Sequence, residues 1–167
     1  MCQVIVEAGL YDRAFVQEQT DLPLLVRKDT ARFLRASEVN EGDRDDQFFW
    51  LDARSGVVVP APRATLAKGG VDPALEGSAR VTLKDGSEVE VEPAFERLKR
   101  RLEDYEPARA SAICEVHPDA IRKLARKVAS RRTKIFIGYN AGDRKSTRLN
   151  SQSQFRISYA VFCLKKK

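Results

Sequence analysis

Gly138-Tyr139-Asn140-Ala141-Gly142 is the stretch of this sequence with the strongest positional claim on chemistry. It follows Ile135-Phe136-Ile137, a short continuous apolar run of the kind that forms a buried parallel strand. In open α/β sheets, ligands bind in the crevice beyond the carboxyl ends of the strands, so a loop placed there is where a ligand would be met. A helix–strand unit closed by an ordinary glycine turn gives the same pattern and is the commoner case.

Other candidates are sparser. His117 is the only histidine, three positions after Cys114. No third ligand and no orienting carboxylate at helical spacing accompanies them, and Pro118 puts His117 at a helix boundary, so a cap or turn is expected. Cys2, Cys114 and Cys163 are odd in number and lack C-x-x-C spacing, which supports neither a disulfide framework nor a zinc site. Glu41-Gly42-Asp43-Arg44-Asp45-Asp46 gathers carboxylates, but their spacing fits no calcium loop and a solvated turn is expected.

The elements that must position the loop begin with a helix from Pro118. Ile121, Leu124, Ala125 and Val128 recur on it at i, i+3, i+4 and i+7, an apolar stripe on an otherwise basic segment. Upstream, Val4, Ile5 and Ala8 suggest a helical turn stopped by Gly9. Asp12 can cap a second helix with Phe15, Val16 and Gln19 on one side. Pro23 ends that helix, since the residue before proline is pushed out of the α region. Leu24-Leu25-Val26 reads as extended. Phe48–Leu51 and Val57–Val59 flank a loop containing Gly56, a hairpin signature with Trp50 as a core anchor. Residues 60–73, with three prolines and two adjacent glycines, read as an irregular connection.

Ala79–Leu83 and Ser87–Val91 both alternate, and Lys84-Asp85-Gly86 joins them as a tight hairpin in which Asp-Gly supplies positive φ angles. Helices then follow from Pro93, carrying Phe95, Leu98 and Leu102 inward, and from Glu106-Pro107, carrying Ala110, Ile113 and Cys114. Helices and strands alternating at the end, with hairpins inserted at the centre, predict an α/β fold: a partial three-layer domain, incomplete at both ends.

The net charge of +6 is unevenly placed: residues 143–167 hold seven Lys/Arg and one acid, leaving 23 basic and 23 acidic residues in 1–142. A balanced, solvated surface is expected for the body, and nucleic acid is not an expected partner. No apolar run approaches the roughly 18 residues of a membrane span, so no direct membrane insertion is expected. A small α/β module that binds an anionic partner through the basic face Arg122–Arg132 is the non-enzymatic alternative.

Six phrases in order resemble the catalytic subunit of molybdopterin-dependent oxidoreductases of the dimethyl sulfoxide reductase family. They are Leu10-Tyr11-Asp12-Arg13 with Phe15-Val16, Thr20–Arg27, Arg32-Phe33-Leu34-Arg35, Tyr105-Glu106-Pro107, Ile113-Cys114 and Ile121–Arg126, followed by the strand ending in Gly138. The likeness is greatest to the group holding nitrate, selenate and perchlorate reductases and ethylbenzene dehydrogenase. It implies an internal fragment over residues 1–142 of a parent enzyme catalysing two-electron oxygen-atom transfer or hydroxylation. The parent would carry molybdenum held by two pterin guanine dinucleotides, an iron–sulfur cluster, and an iron–sulfur electron-transfer subunit as partner. It would be bacterial or archaeal, periplasmic or membrane-associated on one side. The family's iron–sulfur cysteines and molybdenum ligand lie outside this window, so no catalytic or metal-binding residue is expected here, no bound cofactor, and no activity of this chain alone. Gly138, Tyr139 and Asn140 match the family's cofactor-facing loop. Past Gly142 the family pattern stops: residues 143–151 and 157–167 resemble a translated sequencing-library adapter around a variable index, ending in a poly-A read-out as lysines. That resemblance implies a disordered, non-native tail.

Overall fold

In the computed structural model, residues 1–131 and 133 are described. The chain has mixed α/β architecture: two helices open it, five strands occupy the centre, and three helices close the described part.

Helix α1 (Cys2–Glu7) ends at Ala8, with Gly9 at φ +59°, the left-handed region a residue without Cβ adopts freely. Helix α2 (Arg13–Gln19) starts as the sequence predicts: Asp12 accepts from the Phe15 amide at 3.1 Å. Its inward face differs from the expected one. Gln19 is exposed, and Gln17 is buried beside Val16. Gln17 is drawn in because its Nε2 donates to the Pro73 carbonyl at 2.6 Å and to Asp72 Oδ1 at 2.8 Å, partners that local periodicity cannot reveal.

Strand β1 (Leu25–Arg27) pairs antiparallel with β5 (Glu88–Pro93), and β5 pairs with β4 (Ala79–Thr82), giving a sheet of order β1-β5-β4. Between them lie the short helix α3 (Ala36–Val39) and a separate antiparallel ribbon of β2 (Phe49–Leu51) and β3 (Val58–Pro60). Leu25, Leu34, Leu51, Ala74, Leu83 and Val91 form the core shared by sheet and ribbon. The β2–β3 loop is held by Asp52, whose carboxylate accepts from the Ser55 hydroxyl at 2.6 Å, the Ser55 amide and the Asp72 amide. Those bonds, the Ser55 hydroxyl first, hold its carboxyl below the usual range.

The β4–β5 turn refines the expectation. Leu83 N donates to Ser87 O, closing a three-residue loop, and within it only Gly86 has positive φ, at +81°. Asp85 instead accepts from the Ser87 amide at 2.9 Å, so the turn is a type I bend followed by a left-handed glycine rather than a two-residue Asp-Gly turn.

Helix α4 (Ala94–Glu103) follows β5 directly. Phe95 is fully buried with Val6, Val16 and Leu75, and the Tyr11 ring lies 5.1 Å from it. Helix α5 (Pro107–Cys114) departs from its expected packing: Ile113 is 79% exposed and Cys114 is exposed. Helix α6 (Pro118–Ser130) buries Ile121, Ala125 and Ala129, while Leu124, expected in the stripe, is half-exposed. The buried line runs strictly at i, i+4 and i+8, because α6 packs on the slender α1 through alanine, against Val4 and Ile5. Among the described residues the sheets are antiparallel; the parallel strand expected at 135–137 lies outside them.

Candidate functional site

Gly138, Tyr139 and Asn140 also lie outside the described residues. Pro118 occupies the first turn of α6, where its missing N–H is harmless, and His117 Nδ1 accepts from the Asp119 amide at 3.3 Å. The only histidine is thus a helix cap, as its position beside proline predicts. Asp119 bonds Arg122 at 3.0 Å. At the other end of α6, Arg126, Lys127, Ala129, Ser130 and Arg131 line an open cleft of about 730 Å³ with Ala8 and Leu10. Arg126 and Lys127 stand exposed, the arrangement of an ordinary solvated helix face.

A second centre escaped the sequence reading. Glu92, on β5, is 1% exposed. Its carboxylate accepts from Arg100 of α4 and lies 3.9 Å from Lys28 Nζ; Lys28 is itself 2.5 Å from Glu90. A buried charge persists only when paired, and β5 running straight into α4 brings Arg100 back over Glu92 eight residues later. Alternation along β5 would have turned Glu92 to solvent with Glu88 and Glu90. The missing signal was the neighbouring cations. On the other side of β1, Arg27 bonds Asp29 and Glu38, each at 2.6 Å. Those carboxylates, Asp29 first, push the guanidinium pKa up, and Arg27 holds Asp29 below the usual carboxylate range.

A third feature is an aromatic cleft of about 370 Å³, walled by Phe33, Phe48 and Trp50. The Phe33 and Phe48 rings meet edge-on at 5.8 Å, and the Arg35 guanidinium sits 5.7 Å from the Phe48 centroid. Asp46 at its rim pairs with Arg44 at 3.0 Å and with Arg63, and the Arg44 hydrogen bond holds its carboxyl low. The charged loop 41–46 is therefore held by Arg44 within it and Arg63 outside it, both on Asp46, and is otherwise an exposed turn.

Among the described residues no group of three or more His, Cys, Asp or Glu side chains could hold a metal ion. Cys2 and Cys114 are exposed on different helices, and the His117 Nδ1 is used as a cap. Described residues thus do not fit a molybdenum or iron–sulfur ligand set, and no chemical step is routed through them.

Comparison with known proteins gives these elements a context. No protein-family model matches the chain. It is 36% identical to the dimethylsulfide dehydrogenase subunit alpha of Rhodovulum sulfidophilum over 85% of its own length. Identity is 36% to the perchlorate reductase subunit alpha of Dechloromonas aromatica over 82% of the chain. With the respiratory nitrate reductase subunit alpha of Haloferax mediterranei it is 32%, over 86%. The chain is a relative of part of the molybdopterin oxidoreductase alpha subunits of the dimethyl sulfoxide reductase family. The resemblance carried by the six phrases is thereby upheld. The chain spans 16 to 18% of the length of these three relatives. Among the described residues no helix is long and apolar enough to cross a membrane.

Proposed function

We propose that residues 1–142 are a piece of the catalytic subunit of a molybdenum oxidoreductase, and that this chain alone has no activity. The observation that carries the reading is the similarity to several alpha subunits at 32 to 36% identity across 82 to 86% of the chain. When bound, a molybdenum bis-pterin guanine dinucleotide supplies two-electron oxygen-atom transfer or hydroxylation, and an iron–sulfur cluster and an iron–sulfur partner subunit carry the electrons. In this chain, Gly138, Tyr139 and Asn140 are the residues we assign to face the pterin.

The test is to read the genomic frame on both sides of this sequence and express the complete subunit in a host that makes the molybdenum cofactor. The complete protein is expected to hold near-stoichiometric molybdenum and to reduce or oxidise a dye with substrate, and the present chain to hold none. A complete frame that ends near residue 142 and binds no molybdenum would overturn the proposal. A complete subunit in which Asn140→Ala leaves both molybdenum content and turnover unchanged would remove the loop assignment.

A further inference from the structure

Residues 1–142 carry equal numbers of basic and acidic side chains, yet the structure does not spread them evenly. Two open clefts, of about 750 and 540 Å³, lie beside β1 and α4 and share one residue, Arg97. The first is lined by Arg32 and Arg35 as well as Arg97, the second by Lys28, Arg100 and Arg101. The two clefts themselves offer three carboxylates, Glu38, Asp45 and Glu92, while Glu90 and Asp104 pair with Lys28 and Arg101 from outside them.

Those three are already engaged. Glu38 is bonded by Arg27 from outside the clefts, Asp45 accepts from the Ser37 hydroxyl, and Glu92 is held by Arg100. Among the described residues, no carboxylate lies within ion-pair distance of Arg32, Arg35 or Arg97. On α4, Arg97, Arg100 and Arg101 stand at i, i+3 and i+4, one helix face, and buried Glu92 fixes Arg100 in its place. The result is a band in which Arg32, Arg35 and Arg97 are the cations left over among the described residues, with Val26, Phe33 and Ala94 as apolar floor.

We infer that this band is the seat of an acidic, extended polypeptide segment supplied by the remainder of the same subunit. Its spread over two joined clefts exceeds what one small oxyanion can engage. Carboxylates interleaved among the cations would repel a nucleic-acid backbone, which carries a charge at every nucleotide. An acidic peptide can instead place its carboxylates opposite the unpaired guanidiniums and its apolar side chains over Phe33. The source follows from length: the chain spans 16% of the dimethylsulfide dehydrogenase alpha subunit it resembles, so most of such a subunit lies beyond it. That choice of source rests on the proposed function; the chemistry of the band does not.

A fluorescein-labelled peptide of alternating glutamate and leucine, (Glu-Leu)3, titrated into this chain at low ionic strength and followed by anisotropy, tests the chemistry. Binding is expected to weaken at least about tenfold in Arg97→Glu and to disappear at high salt, because the contacts are screened surface charges. Lys123→Glu, on the basic face of α6 elsewhere in the fold, is expected to bind as the parent chain does. Equal loss in both variants, tighter binding of a hexathymidylate through Arg97, or no binding at all would overturn the inference. The source is tested in the complete subunit, where Arg97→Glu is expected to lower the melting temperature. An unchanged melting temperature would assign the occupant to a separate chain and overturn the intramolecular assignment. Neither result depends on molybdenum content, so failure here is distinguishable from failure of the proposed function.

Discussion

Gln17 reaches 56 positions along the chain to donate to the carbonyl of Pro73 at 2.6 Å, and that single side chain ties α2 to the irregular connection after the β2–β3 ribbon. The same Nε2 bonds Asp72, whose amide in turn is held by Asp52. One amide and one carboxylate thus reinforce a stretch whose backbone meets β2 through a single bridge, Asp52 opposite Pro73.

Removing that amide should be costly. Gln17→Leu leaves the buried Pro73 carbonyl without its donor, which costs about 1–3 kcal/mol. Urea denaturation should show the midpoint falling by that amount with an unchanged slope. Gln19→Leu, on the exposed side of the same helix, should stay within about 0.5 kcal/mol of the parent chain.

The Glu92–Arg100 pair predicts an asymmetry. Arg100→Met strips the buried carboxylate of its closest donor and leaves Lys28 at 3.9 Å, a loss of about 1.5–3 kcal/mol for a hydrogen bond to a charged group. Glu92→Gln removes the buried charge and keeps an acceptor, so it should cost less. If Glu92→Gln proves the more damaging of the two in denaturant unfolding, Arg100 is not what keeps that charge in place.

Acid should weaken the fold through the loop carboxylates. Asp52 and Asp85 are held low by hydrogen bonds from Ser55 and Ser87 respectively, and Asp46 by Arg44. A folded pKa below the unfolded value of about 3.9 means the stabilisation is present above that value and is lost as pH falls through the folded one. Melting temperature should therefore drop from about pH 5 downward, and Asp52→Asn should make the drop shallower. An equally steep acid limb in that variant would exclude Asp52 as a contributor.

How much of this was legible in the sequence depends on how local the determinant was. The Asp12 cap, the Pro23 break, the His117 cap and both hairpins were readable because their causes lie within a few residues. Leu124 was misplaced because the partner of α6 sits at the other end of the chain, and a helix as close as α1 selects alanines over leucine. Ile113 and Cys114 were expected inward from periodicity alone, yet α5 has no neighbour on that side among the described residues. Glu92 was missed for a related reason: strand alternation describes faces and not the cations a following helix will bring. The loop at 138–140 lies outside the described residues, so its expected role rests on resemblance.

The α1–α6 contact gives the sharpest test of the corrected stripe. Ala125 is fully buried against Val4 and Ile5, so Ala125→Leu should overpack the contact and cost about 1–3 kcal/mol. Leu124→Ala should be nearly silent in this chain. Comparable losses in both would restore the original stripe.

Deleting residues 143–167 should change stability by less than about 1 kcal/mol, a loss large enough to matter to a domain of marginal stability. Thermal unfolding of the two proteins side by side decides it, and a larger loss would mean the tail belongs to the fold.

Because Val4 and Ile5 of α1 close on Ala125 and Ala129 of α6, residues at opposite ends of the described chain must find each other. A ribosome would release the second half of that contact only after nearly everything between had emerged, and closing so long a loop carries its entropic cost before the contact repays it. The sheet and its ribbon, whose pairings are nearer in sequence, can assemble first. Val4 and Ile5 then wait uncovered until α6 arrives, while Val6 of the same helix can already pack on Phe95.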